Sequence, residues 1–183
     1  MTTIPKRTRH VAMMAMVGAL LCISSSAVAL DAYQSRKGLF WGMGLGGGGA
    51  IRVPGGDIGG EGIFDFQLGG GATSHLTLAL DTDISVLGYE NTVGLGIAPG
   101  PEISYFFGET GLFIRVGLGA ALNTMWVDGD GEFFAGLDMD LGFGWEFFVT
   151  SNVALGMTIE GGYSLLSGDD NALVGFMIGF KYY

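Results

Sequence analysis

The chain has 183 residues, with 35 glycines, one cysteine, and 18 acidic against eight basic side chains, for a formal net charge of −10. That balance argues against nucleic acid as a partner, since gripping a polyanion takes clustered lysine and arginine, and one cysteine cannot build a disulfide framework. Hydrophobic residues make up 49% of the chain, yet beyond the N-terminal segment no apolar run reaches the about 20 residues that a membrane-spanning helix needs.

The first element is a leader. Lys6, Arg7, Arg9 and His10 precede the apolar run VAMMAMVGALLCI, and Ala27-Val28-Ala29 supplies small residues for cleavage, the three-part plan of a secretory signal peptide over residues 1–29. The run is too short for a retained membrane helix, and Leu21 stands where lipoprotein processing at Cys22 would need a small residue. Cleavage after Ala29 leaves about 154 residues, enough for one domain, with all 18 acids, five bases and no thiol, at a net charge of about −13. Residues 30–37 are then a short periplasmic segment, and 38–183 the folded domain.

From Gly38 onward apolar side chains alternate with small or polar ones, the period of a strand with two unlike faces. Eight such stretches follow, at 38–50, 60–72, 76–87, 92–107, 111–125, 133–148, 153–165 and 172–183. Each is near or above the about 9 to 11 residues with which a tilted strand crosses a bilayer. In the third, Leu76, Leu78, Leu80 and Ile84 oppose Thr77, Ala79, Asp81 and Asp83. In the sixth, Phe133, Ala135, Leu137, Met139, Leu141, Phe143, Trp145 and Phe147 share one face; Phe134, Gly136, Asp138, Asp140, Gly142, Gly144, Glu146 and Phe148 share the other. The last puts Val174, Phe176, Ile178, Phe180 and Tyr182 opposite Gly175, Gly179 and Lys181. A soluble β-sandwich also alternates, but its polar face would carry many lysines, which this chain lacks.

The pattern predicts an all-β fold, an eight-stranded antiparallel up-and-down transmembrane β-barrel behind a cleaved signal peptide, with apolar faces toward lipid and glycines and acids inward. Short periplasmic turns are expected at Thr73-Ser74-His75, at the two residues Gly108-Glu109, and around Thr150-Ser151-Asn152. Mostly longer outer loops are expected at Ile51–Gly59, Gly88–Asn91, Trp126–Glu132 and Leu166–Asn171. Aromatic residues gather near both interfaces, with Trp41, Tyr105, Phe107, Trp145 and Tyr182 below and Tyr89, Trp126 and Tyr163 above.

The first strand GLFWGMGLGGGG, the segment Gly100-Pro101-Glu102-Ile103-Ser104-Tyr105-Phe106-Phe107 and the final strand GFMIGFKYY resemble the small outer-membrane barrels of the OmpA and OmpX type. The resemblance covers nearly all of the mature chain. It implies a cell outer-membrane location, contact with outer-membrane lipids and lipopolysaccharide, and passage through the barrel-assembly machinery. The length leaves no room for the periplasmic peptidoglycan-binding domain of full-length OmpA.

Candidate chemistry lies on the inward face. Gly44-Leu45-Gly46-Gly47-Gly48-Gly49 matches a dinucleotide fingerprint, but no helix follows it, so the glycines read as space in a narrow lumen and no cofactor is expected. The inward pairs Asp81 with Asp83 and Asp138 with Asp140 resemble protease carboxylate pairs. His75, the histidine of the mature chain, falls in a periplasmic turn, however, so no catalytic residue is assigned and an enzyme is not expected.

A two-residue turn at Gly108-Glu109 sets Glu102 directly opposite Arg115, with Glu146 and Lys181 at similar depth, a lumen ion-pair cluster that satisfies buried charge. Higher up, Asp65 should face Asp83, with Asp81, Asp138 and Asp140 nearby and no basic partner, an acidic vestibule open to the outside. So many like charges in a dry cavity demand protons, or water and small cations. Carboxylate oxygens would suit calcium, but the spacing matches no recognised metal cage, and no metal site is assigned. The expected function is a structural or surface-interaction barrel with a lumen closed by ion pairs; the alternative is a narrow cation-favouring pore.

Overall fold

The computed structural model describes residues 35–53, 55–90, 92–127, 130–168 and 170–183. The expected leader and its cleavage site lie outside the described residues. The elements are eight strands: β1 Gly38–Val53, β2 Ile58–Gly71, β3 Leu76–Tyr89, β4 Thr92–Phe106, β5 Leu112–Val127, β6 Asp130–Phe148, β7 Val153–Leu166 and β8 Asp170–Tyr182. Each pairs antiparallel with the next, and β8 pairs with β1, from Trp41↔Tyr182 to Val53↔Asp170, so the sheet closes on itself. Closure leaves every strand with two partners and removes the open edge.

The two-residue period sorts the side chains as expected. Leu137 and Leu141 are each 55% exposed and Ile178 59%, whereas Asp65 and Glu102 are 3% exposed and Glu146 2%. The outside is therefore apolar and the inside polar, the reverse of a water-soluble fold. Trp41, Phe180 and Tyr182 cluster on the outer wall near the termini, where Trp41 stacks on Tyr182 at 6.3 Å, and the pairs Tyr105–Phe107 and Trp145–Phe147 continue the belt. Both barrel termini lie at one end, the base, opposite the rim.

The connections depart from expectation. At the rim, β1 runs on to Val53, β2 begins at Ile58, and Val127 pairs with Asp130 where a loop from Trp126 to Glu132 was expected. The four rim joints are thus no longer than the three base turns, because backbone ladders persist past the point where side-chain alternation fades. Turn length gives no orientation. At the base, β4 and β5 are joined through Gly108 and Gly111 at φ 59° and 74°, with the Phe107 N–H donating to Leu112 O. The turn is four residues, 108–111, instead of Gly108-Glu109 alone. This shifts the β4–β5 register by two: Arg115 faces Ser104, and Glu102 faces Gly117. At the rim, Tyr89 turns inward, donating to Asn171 Oδ1 at 3.2 Å with Arg52 over its ring, so it is no part of the outer aromatic belt.

The interior is layered. Phe40, Phe106, Phe113 and Phe148 form a buried aromatic floor at the base, charged groups fill the middle, and Ala50, Leu87 and Met125 pack with Tyr89, Phe134 and Leu173 toward the rim.

Candidate functional site in the barrel lumen

The charged layer is built by strand parity. Inward positions on β2 carry Glu61, Asp65 and Gln67; on β3 Asp81 and Asp83; on β4 Glu102; on β5 Arg115; on β6 Asp138, Asp140 and Glu146; on β7 Glu160; and on β8 Lys181. An eight-stranded barrel is narrow enough for side chains from facing walls to meet.

Two tiers of ion pairs result. In the middle tier the Arg115 guanidinium sits 3.2 Å from Glu102 Oε2 and 3.3 Å from Asp65 Oδ2 through Nη1, while Nη2 bonds Glu160. One side chain of β5 thereby links β2, β4 and β7. Gln67 Nε2 donates to Asp65 Oδ2 and Glu102 Oε2, both at 3.2 Å, and Ser104 Oγ donates to Glu102 Oε1 at 2.9 Å. In the base tier, Arg36 Nε lies 2.7 Å and Lys181 Nζ 3.8 Å from the Glu146 carboxylate, and Tyr183 Oη donates to Glu146 Oε1 at 3.0 Å. The Arg36 guanidinium rests 3.8 Å above the Phe106 ring and Lys181 Nζ 5.2 Å from that of Phe40, so both cations also use the aromatic floor.

The structure therefore brings Glu102 together with Arg115 and Glu146 together with Lys181, but in two separate groups instead of one. Glu102 meets Arg115 despite the shifted register, because the long guanidinium arm spans the two-residue offset. The acidic residues are placed differently as well. Asp65 faces Asp83 in the β2–β3 register, as expected, but it has a basic partner in Arg115. Parity places a side chain inside without saying which opposite strand it reaches, and that link was invisible to it.

Asp83, Asp138 and Asp140 line a cavity of about 50 Å³ shared with Glu61 and Glu160, room for a few waters, with Leu87 and Leu173 also in its wall. Asp81 and Asp83 border a smaller gap against Pro101 and Gly119. Arg36, Gln67, Glu61 and Glu160 join the site with no sequence motif to mark them. The last three were available from parity alone, whereas Arg36, before β1, follows no alternation. Its burial depends on the barrel being closed around it.

An eight-stranded up-and-down barrel, apolar outside and charged inside, defines the structural class. Solved structures share it. The chain is similar to Neisserial surface protein A (TM-score 0.56, 16% identity, covering 79% of this chain and 96% of that one). It is similar to the N-terminal β-barrel domain of Pseudomonas aeruginosa OprF (0.52, 15%, 78% and 97%) and to the attachment invasion locus protein Ail of Yersinia pestis (0.52, 13%, 80% and 98%). No family model and no curated protein sequence matches the chain. At these identities the likeness is one of fold.

Proposed function

We propose that this protein is a non-enzymatic outer-membrane β-barrel with a structural or surface-interaction role and a lumen closed by ion pairs. The observation that carries closure is the reach of Arg115, which joins Asp65, Glu102 and Glu160 from three other strands inside the barrel. Below it the aromatic floor and the Arg36–Glu146–Lys181 group form a second barrier. The membrane location is supported by an outer surface that no soluble monomer would expose and by closure, which satisfies every strand's backbone without water. With both barrel termini at the base, the base faces the periplasm and the rim the outside. Outer-membrane lipid and lipopolysaccharide are then the surroundings, and the barrel-assembly machinery the partner during biogenesis. The surface role draws on the names of similar structures, a surface protein and an attachment protein. The non-enzymatic reading rests on His75, which sits in the turn before β3 and not among the lumen carboxylates.

A second reading, a narrow cation-favouring pore, is supported by the carboxylates that line the rim-side cavity. Planar-bilayer recording of folded protein separates the two. Closure predicts no channel events in wild type; a steady cation-selective current, lost on Asp83→Asn, would replace it with the pore.

A further inference from the structure

Asp65, Asp81 and Asp83 each place a carboxylate oxygen within 4.8 Å of the other two. Oxygens that ligate one calcium ion at about 2.3–2.6 Å stand at most about 5 Å apart, so the three already lie within the reach of a single ion. Proximity of acids alone says nothing, because solvated acids often gather. Two further observations separate this cluster from that case.

The first is Gln67, directly across the β2–β3 ladder from Asp81. It is 3% exposed and its amide N–H groups are used on Asp65 and Glu102, yet its carbonyl Oε1 is buried with no hydrogen-bond partner. A buried amide oxygen left bare is costly, and it is the neutral oxygen donor that calcium sites combine with carboxylates. The second is Asp81 itself, 7% exposed, with Oδ1 buried and bare. Arg115 cannot serve it directly, since its contacts are to Asp65, Glu102 and Glu160. Asp83 Oδ1 is bare as well. Arg115 pairs with Asp65 alone of the three, so Asp81 and Asp83 have no direct basic partner among the described residues.

We propose that the barrel binds one divalent cation of calcium size at its waist, held by Asp65, Asp81 and Asp83 with Gln67 Oε1 as a neutral ligand. The donors are all hard oxygens, which selects calcium over zinc or copper. The site lies between the rim-side cavity, which Asp83 lines, and the base-side cavity, which Asp65 and Gln67 line. Bound there, the ion ties β2 to β3 and neutralises the acids that Arg115 leaves uncompensated. The site stands whether or not the lumen conducts, so a silent bilayer does not bear on it.

Equilibrium dialysis tests it: chelator-treated folded protein in detergent micelles is dialysed against calcium chloride and bound calcium is measured by elemental analysis. One calcium per barrel is expected, with loss of binding in Asp81→Asn and in Asp83→Asn, and an affinity roughly tenfold weaker in Gln67→Ala. Glu109→Gln, in the exposed base turn, is the control that keeps full binding. A heat-modifiable gel shift verifies that each variant is folded. Folded wild type without calcium at millimolar free ion, or binding unchanged in both Asp81→Asn and Asp83→Asn, overturns the site.

Discussion

At the scale of single residues, the interior is organised by Arg115. It is 4% exposed, and three carboxylates share its guanidinium. A buried ion pair adds little net stability over an apolar replacement, but removing one member strands the others without compensation. Arg115→Met is therefore expected to lower stability by about 3–5 kcal/mol, and Glu102→Gln in the same chain to recover part of the loss; urea unfolding in micelles, followed by tryptophan fluorescence, checks both. The glycine opposite makes room for it. A Cβ at Gly142 would stand 2.7 Å from Arg115 Cγ and 3.0 Å from Thr158 Cγ2, against atoms with little freedom to move. Gly142→Ala should cost about 1–3 kcal/mol by overpacking, read in the same titration.

At the scale of elements, β4 is the weak seam of the wall. Its pairing with β3 is unbroken from Leu76↔Tyr105 to Tyr89↔Thr92, but its pairing with β5 lapses between Ile97↔Leu122 and Glu102↔Gly117. The cause is covalent. The Phe106 N–H donates to His75 O on the β3 side and the Phe107 N–H to Leu112 O on the β5 side, so odd-numbered amides of β4 point toward β5. Pro99 and Pro101 are both odd and have no N–H to give. By the register of the strand, their absent donors would have met the carbonyls of Leu118 and Ala120. Proline inside a paired strand is otherwise confined to edges and bulges. Hydrogen exchange of the folded barrel is accordingly expected to be faster for the amides flanking this seam than for those of the β1–β2 ladder. Uniform protection across both would show the seam to be as tight as its neighbours. The missing bonds lie beside the gap bordered by Asp81, Asp83, Pro101 and Gly119, so the unpaired stretch of the wall stands next to the acid cluster.

At the scale of the whole molecule, closure and the outer belt decide stability together. Leu141 stands mid-strand on the outside, between Val116 and Gly161, with Asp140 beside it facing in. In a bilayer Leu141→Arg should cost about 2–4 kcal/mol, whereas Asp140→Asn, which removes one of several crowded lumen acids, should cost nothing or stabilise. Folding titrations into lipid vesicles give both numbers, and a Leu141→Arg variant as stable as wild type would mean that this face does not meet hydrocarbon. The folded barrel should also migrate differently from its boiled form on electrophoresis.

Strand existence, strand number and the inward or outward sense of side chains such as Leu137, Asp138, Ile178 and Lys181 were legible in the sequence, because parity is a local property of the extended backbone and needs no partner. The register of Asp65 against Asp83 was legible too, since the intervening β2–β3 turn was read at close to its true length. Where a turn is held by glycines at positive φ, as between β4 and β5, a two-residue error in its length passed straight into the ladder and misplaced Glu102 relative to Arg115. Contacts across the lumen, Arg115 with Asp65 and Glu160 or Arg36 with Glu146, were decided only by the tertiary structure. They join residues far apart in the chain through the closure of the barrel, and no local period records which strand a side chain will meet on the other side.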